Sequence, residues 1–193
     1  MTRLFLAVSL SVVTAATAAR ATTFDFGPYA PTNGTVPLVI TNDGLTATFS
    51  SPSGPQSFIA EDGSAFSTLG SSVLADDNFV PEELDVSFGA PVRSVWLAFA
   101  TNDFGSPSTM TLTVLDGATV AGTVSAIGAI ANSGLPEGVL GFSGGPFTSI
   151  ALTDPESAGF AIGQFSASVP EPASLAILAA GLIGIAALRR RAA

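Results

Sequence analysis

The chain of 193 residues contains no cysteine, no histidine and no lysine. Without cysteine it forms no disulfide, so an exported domain must be stabilised by its hydrophobic core alone. The absence of cysteine excludes thiol catalysis, and the absence of histidine excludes serine–histidine–aspartate triads. Without either residue, zinc sites built from histidine and cysteine are excluded as well. The absence of lysine excludes Schiff-base chemistry, and no glycine-rich phosphate-binding loop is present.

Basic residues are scarce as well, and they lie mainly at the two ends of the chain. Between Thr22 and Ser168 there are 14 acidic residues and one basic residue, Arg93, which gives a net charge of −13. Nucleic acid and anionic lipid would be repelled, because binding them requires clustered lysine or arginine. Such a charge favours solubility, salt tolerance or bound divalent cations.

The N-terminus has the three parts of a secretory signal. Met1–Arg3 carries a positive charge, Leu4–Val13 is apolar, and small residues with A-x-A spacing follow. We expect residues 1–21 to be a signal peptide cleaved after Ala21, because Thr22 already begins a strand-like pattern. The alternative, an uncleaved anchor, is disfavoured by the short apolar core.

The C-terminus has three parts in a fixed order. Val169, Pro170, Glu171 and Pro172 form an extended, proline-stiffened segment. Residues 173–188 then run for 16 positions without a charge, about 24 Å of α-helix, which is a marginal membrane span. The run ends at a basic stop, Arg189, Arg190 and Arg191, which predicts a cytoplasmic C-terminus.

This tail, residues 169–193, resembles the PEP-CTERM sorting signal of exported bacterial surface proteins. The resemblance implies an exosortase-type processing enzyme as a partner, which would cut near Pro170-Glu171-Pro172. It further implies a protein anchored transiently in the inner membrane and then delivered to the cell surface or extracellular matrix. The alternative is an ordinary transmembrane anchor with a proline hinge.

Residues 22–168 alternate between short strand patterns and turns, with no amphipathic helix. Pro37–Thr41 and Leu45–Ser50 flank an Asn-Asp-Gly turn and predict a hairpin. Thr109–Leu115 and Thr119–Ser125 flank Asp-Gly in the same way. About ten such strands predict an all-β ectodomain, an antiparallel β-sandwich of jelly-roll-like or Ig-like type, followed by the short C-terminal transmembrane helix.

Two details of the strand pattern carry structural predictions. Val92–Ala100 is apolar on both faces, so we expect a central strand with Trp96 in the core. If Trp96 were exposed instead, its indole would be a candidate platform for binding a sugar. In the last strand the apolar residues fall on even positions up to Ile162 and on odd positions from Phe165, so the inward face changes between them. Gly163 is therefore a predicted bulge.

The densest group of acids is the candidate metal site. Asp76, Asp77, Glu82 and Glu83 supply hard oxygen ligands that suit Ca²⁺, the one cofactor that the sequence suggests. Their spacing is not that of an EF-hand, and a loop of solvated acids is the alternative interpretation.

We expect a non-enzymatic protein of the cell surface or of an exopolysaccharide matrix. One alternative is a carbohydrate- or calcium-binding adhesion module, with extracellular polysaccharide as partner. Tyr29, between two prolines, is either an exposed saccharide platform or a side chain packed on the rim of the sandwich. A weaker alternative is a glycoside hydrolase using two carboxylates, for which supporting aromatic residues are few.

Overall fold

Eleven β-strands and one 3-10 turn form the secondary structure of the residues that the computed structural model describes, which are 20–32, 34–76, 83–156 and 159–170. Residues 1–19 of the predicted signal peptide, which spans residues 1–21, and most of the sorting tail lie outside the described residues. The strands are β1 (Arg20–Phe24), β2 (Leu38–Asn42), β3 (Leu45–Ser50), β4 (Phe58–Asp62), β5 (Ser72–Asp76), β6 (Glu83–Thr101), β7 (Thr109–Asp116), β8 (Thr119–Ile127), β9 (Ala129–Ile130), β10 (Pro136–Thr153) and β11 (Phe160–Val169). The 3-10 turn is Ala30–Thr32.

Both predicted hairpins are present, and their turns have the expected backbone conformations. Strands β2 and β3 are joined at Asp43 and Gly44, whose φ angles are 49° and 81°. Strands β7 and β8 are joined through Gly117, with φ of 60°. Positive φ at such positions matches the right-handed twist of the strands, which is why Asp-Gly and Asn-Asp-Gly predict hairpins.

The longest strands, β6 and β10, pair with each other along most of their length and bend at the same place. Each strand runs through a short segment containing glycine and proline, Gly89–Pro91 in β6 and Gly144–Pro146 in β10. Both strands are continuous, with register shifts around those segments. The glycines and prolines bend the strands without ending them, because bulges absorb the extra residues.

This bend divides one continuous antiparallel sheet into two layers. The front sheet has the order β2-β3-β6-β10-β7-β8 and uses the first half of β6 and the second half of β10. The back sheet contains β4, β5, β1, β11, β9, the second half of β6 and the first half of β10.

Phenylalanine rings from both layers meet in one buried core. Phe49 of the front sheet lies with its ring centroid 5.3 Å from that of Phe165 and 6.4 Å from that of Phe24, both in the back sheet. Phe88 stacks on Phe165 from the front side at 6.3 Å. Face-to-face packing of two antiparallel layers confirms the predicted all-β sandwich.

The predicted break in parity in β11 is also present. The register of β11 against β6 shifts between Gly163 and Ser166, and Gln164 has a φ of 48°. As a result both Ile162 and Phe165 point into the core.

Among the described residues no helix has the length and apolar character needed to cross a membrane. The predicted transmembrane segment, residues 173–188, lies outside them. The boundaries proposed for the signal peptide, ectodomain and tail therefore stay predictions.

Candidate functional site

The outer face of the back sheet is partly covered by residues 63–71, which we call the cover loop. Its Leu69 is fully buried against a bed of small side chains that includes Ala98, Ala100 and Ala161. Phe66 packs at the edge of the same bed. Small residues on the outer face therefore leave a depression that the cover loop fills.

A buried carboxylate holds the cover loop in place. Glu137 of β10 is 5% exposed, and it accepts hydrogen bonds from the backbone N–H groups of Ser67 and Thr68, from Thr68 Oγ1 and from Ser133 Oγ, at 2.7 to 3.1 Å. Burial raises the pKa of Glu137, but the bonds from Ser67, Ser133 and Thr68 together outweigh it and bring the pKa below its usual value. Glu137 is therefore an ionised anchor.

Two further contacts fix the loop over β11. Gln164 Nε2 donates to the Thr68 carbonyl at 2.8 Å. A Cβ atom at Gly163 would overlap the Leu69 carbonyl oxygen, so glycine is required where the loop crosses the strand. At the start of the loop, Asp62 accepts a bond from the Ser64 N–H, and bonds from Ser64 lower the pKa of Asp62.

Trp96 lies beyond the edge of the cover loop and is 40% exposed, so the prediction that it belongs to the core is wrong. The strand is central, as expected, and Val95, Leu97 and Phe99 face the core. The opposite face is apolar because the cover loop buries Ala98 and Ala100. The loop does not bury Trp96, which keeps a large surface in contact with solvent.

The immediate neighbours of Trp96 on the outer face are small. Its register partners are Gly141 of β10 and Ser166 of β11, and Ser166 pairs onward with Thr23 of β1. A Cβ at Gly141 would lie 3.3 Å from Trp96 Cδ1, so the indole extends over the position where a side chain is missing. On β10, Val139 is 54% exposed. The result is an exposed aromatic side chain whose neighbours are small or medium-sized, two of them (Ser166 and Thr23) bearing hydroxyl groups, and we call it the Trp96 platform.

A shallow pocket of about 200 Å³ adjoins this row of residues on the β1 side. Its lining includes Thr23, Asp25 and Gln164. Asp25 Oδ1 accepts hydrogen bonds from the Gly27 N–H at 2.8 Å and from Ser72 Oγ at 3.2 Å. The pocket thus places a carboxylate and an amide near the platform.

A second pocket, of about 140 Å³, lies on the far side of the cover loop, at the end of the sheet where β5 and β6 end and β11 begins. We call it the rim pocket. Ala100, Ala161, Phe66 and Leu135 contribute apolar lining, and Asp76, Glu61, Asn102 and Thr101 contribute polar lining. Asp76 is 8% exposed.

The candidate calcium residues fall at two places. Asp76 ends β5 in the back sheet, whereas Glu83 begins β6 in the front sheet; Asp77 and Glu82 lie outside the described residues. Burial, followed by the charge of Asp85 and a hydrogen bond with it, raises the pKa of Glu83. Within the described ranges no three acidic side chains are grouped as a metal site. Calcium binding stays a prediction.

Tyr29 and Asn42 have structural roles. Tyr29 packs against the core, and its hydroxyl donates to the Val39 carbonyl at 3.4 Å, which confirms the rim-packing interpretation. Asn42, the last residue of β2, donates from Nδ2 to the Thr23 carbonyl at 2.8 Å and so links β2 to β1. Sequence reasoning missed Glu137 altogether, because a single glutamate between Pro136 and Gly138 gives no sign of burial.

The sorting segment begins inside a strand. Val169 is the last residue of β11, and β1 pairs with that end of the strand, Ala21 opposite Ser168 and Arg20 opposite Val169. Pro170 follows the strand. Glu171, Pro172 and the basic stop at Arg189–Arg191 lie outside the described residues.

Comparison with solved structures returns carbohydrate-binding modules at low similarity. A family 29 module from Piromyces equi has a TM-score of 0.41 and 12% identity, covering 78% of this chain and 91% of that one. TmCBM61, solved with β-1,4-galactotriose, has a TM-score of 0.42 and 12% identity, covering 65% and 88%. A module of Cellvibrio mixtus lichenase 5A, solved with cellotriose, has a TM-score of 0.33 and 12% identity, covering 60% and 88%. At these scores the likeness carries no inference about ligand.

No curated protein sequence matches the chain. A family model described as the PEP-CTERM protein-sorting motif matches residues 168–191 and confirms the resemblance found in the sequence. The chain therefore carries a PEP-CTERM sorting motif at its C-terminus, consistent with an exported substrate of an exosortase.

Proposed function

We propose that this protein is a non-enzymatic component of the cell surface or of an exopolysaccharide matrix, whose ectodomain binds polysaccharide at the Trp96 platform. An exosortase processes its C-terminal tail, residues 169–193, after export. The sorting motif at residues 168–191 supports export and delivery to the cell surface. The observation that carries the binding role is the 40% exposure of Trp96 on a sheet face that the cover loop covers only in part.

Covering the exposed part of the indole with a ligand would be favourable, because that apolar area is otherwise in water. The apolar C–H face of a sugar ring packs well against an indole, and the ring hydroxyls need polar partners around it. Ser166, Thr23 and Gln164 lie on the same side of the sheet as Trp96 or line the adjoining pocket. Such an arrangement suits a polysaccharide lying across the strands.

The weaker alternative, hydrolysis by two carboxylates, needs two acids on opposite sides of a bound glycosidic bond. Asp76 and Glu61 both line the rim pocket, so this alternative has a specific pair of residues. Release of reducing ends from polysaccharides distinguishes an enzyme from a binding module. We expect none.

Trp96 is the only tryptophan in the chain, so its fluorescence reports directly on the proposed site. We would titrate the full-length chain, in a detergent without sugar headgroups, with soluble neutral, amino-bearing and uronate polysaccharides. Binding at the platform should blue-shift or quench the emission and protect the indole from iodide. Unchanged emission with a polysaccharide that demonstrably binds would move the site elsewhere.

Variants measured by calorimetry complete the test. Trp96→Ala should weaken binding at least about tenfold, the order expected for a buried aromatic contact. The matched control is Phe104→Ala, which removes another exposed aromatic side chain, 71% exposed, from a loop. Equal affinities of the Trp96 variant and the unmodified chain would overturn the proposal.

A further inference from the structure

The rim pocket has a composition that selects its ligand. We infer that it is a subsite for a sugar residue carrying a protonated amino group, as in a deacetylated hexosamine polymer. This inference rests on the proposed function for its ligand class, polysaccharide. It adds a second site and a charge preference, neither of which the Trp96 platform requires.

Size and apolar lining fit one sugar ring. The pocket has a volume of about 140 Å³ and is open on one side, which gives it the scale of a single sugar ring rather than of an oligosaccharide. Ala100 and Ala161 form part of its lining, and Phe66 offers an aromatic surface to the carbon face of a ring. The pocket lies about 13 Å from Trp96, since four residues of β6 separate Ala100 from Trp96 on the same face.

Among the described residues that line the pocket, the charged side chains are all acidic. Asp76 and Glu61 both line the pocket, and Asp76 is almost fully buried. The only basic residue between Thr22 and Ser168, Arg93, lies eight residues from Thr101 along β6, a separation of about 26 Å. An ammonium group would pair with these carboxylates, whereas a uronate carboxylate would be repelled.

A buried hydroxyl provides an independent sign of a ligand. Thr101 is 1% exposed and lines the pocket, and its Oγ1 has no hydrogen-bond partner among the described residues. Leaving a buried hydroxyl unsatisfied costs free energy, and a ligand hydroxyl or amine in the pocket would satisfy it. Asn102, next in the chain, adds an amide to the same lining.

The test compares two oligosaccharides of equal length, a β-1,4-linked glucosamine tetramer and a cello-tetraose, by calorimetry on the full-length chain. Glu61→Gln should weaken binding of the glucosamine tetramer about tenfold, as expected for loss of a charge-assisted bond. Its affinity for cello-tetraose should be unchanged. Asp116→Asn is the matched control, because it removes one acid from the exposed β7–β8 turn and leaves the pocket intact.

The outcomes separate the two proposals. If Glu61→Gln and Asp116→Asn weaken glucosamine binding equally, the preference is only a field effect of the net charge and the pocket proposal is overturned. If only cello-tetraose binds, the pocket proposal fails while the Trp96 platform stands. If millimolar Ca²⁺ binds in a manner abolished by Glu61→Gln and no glucosamine binds, the pocket is a cation site and the sugar assignment is wrong. Weaker glucosamine binding in Glu61→Gln, with binding unchanged in Asp116→Asn, supports the pocket proposal.

Discussion

Trp96 and Glu137 reverse the usual positions of their residue types, since the indole is exposed and the carboxylate is buried. Glu137 is stabilised by bonds from the cover loop. Trp96 has only small neighbours, Gly141 and Ser166, across the adjoining strands. The cover loop, residues 63–71, explains both positions. It lies over the part of the outer face that contains Glu137 and does not reach Trp96.

Truncating Trp96 should therefore cost less stability than truncating a core ring. We expect Trp96→Ala to lower the free energy of unfolding by about 2 kcal/mol, since part of the indole is already in water. Phe49→Ala, which removes a ring from the centre of the core, should cost about 3–5 kcal/mol. Urea denaturation followed by circular dichroism measures both. A loss in Trp96→Ala as large as that in Phe49→Ala would show that the indole supports the fold.

Glu137 should make stability depend on acid. Its pKa in the folded protein lies below the ordinary value of 4.5, so its stabilising effect is complete above that value and is lost as pH falls through the folded pKa. Glu137→Gln should lower the free energy of unfolding at neutral pH by about 1–3 kcal/mol, and the difference from the unmodified chain should shrink toward acid pH. Melting curves across pH measure this difference.

Glu156→Gln controls for charge, because it removes an exposed acid and relieves the same general repulsion. Its melting curves should stay parallel to those of the unmodified chain. A difference for Glu137→Gln that persists unchanged at low pH would contradict the anchoring role of the ionised carboxylate.

At the scale of elements, the crossing of the cover loop over β11 depends on Gly163. Gly163→Ala should displace residues 63–71, since the new Cβ would overlap the Leu69 carbonyl, and should cost about 1–3 kcal/mol. Gly145→Ala, where a Cβ meets nothing within 4 Å, should be nearly neutral. Limited proteolysis within the loop gives a second readout. Equal protection of the loop in both variants would show that it adapts to the added methyl group.

The hairpins and the β11 bulge were predictable because their signals are local. Asp43-Gly44 requires positive φ, and the parity switch around Gly163 is visible in consecutive residues. The exposure of Trp96 was not predictable, because a strand pattern shows that a face is apolar but not what covers it. Here the cover comes from a glycine- and serine-rich loop, and the residue that anchors it, Glu137, is about 70 positions away in the chain.

At the scale of the whole molecule, we expect the tail to be a processed signal. The mature protein isolated from its host should lack residues 173–193. Replacing Pro170-Glu171-Pro172 by three alanines should leave export intact, because the N-terminal signal directs it, and should retain the protein at the inner membrane. Mass spectrometry of the C-terminal peptide and membrane fractionation give the result. An intact Arg189–Arg191 end on surface-exposed protein would instead indicate a permanent anchor.

Strand β11 begins at the rim pocket, where Phe160 and Ala161 are part of the lining. It ends at Val169, and Pro170 of the sorting tail follows directly. A glycan held at one end and an attachment at the other would pull this strand along its own axis. Hydrogen bonds between antiparallel strands lie perpendicular to that axis, so those joining β11 to β1, β5 and β6 would share the load and be sheared together. If the ectodomain binds glycan and is attached through its tail as proposed, it would bear tension by shearing these bonds together and not by breaking them one at a time.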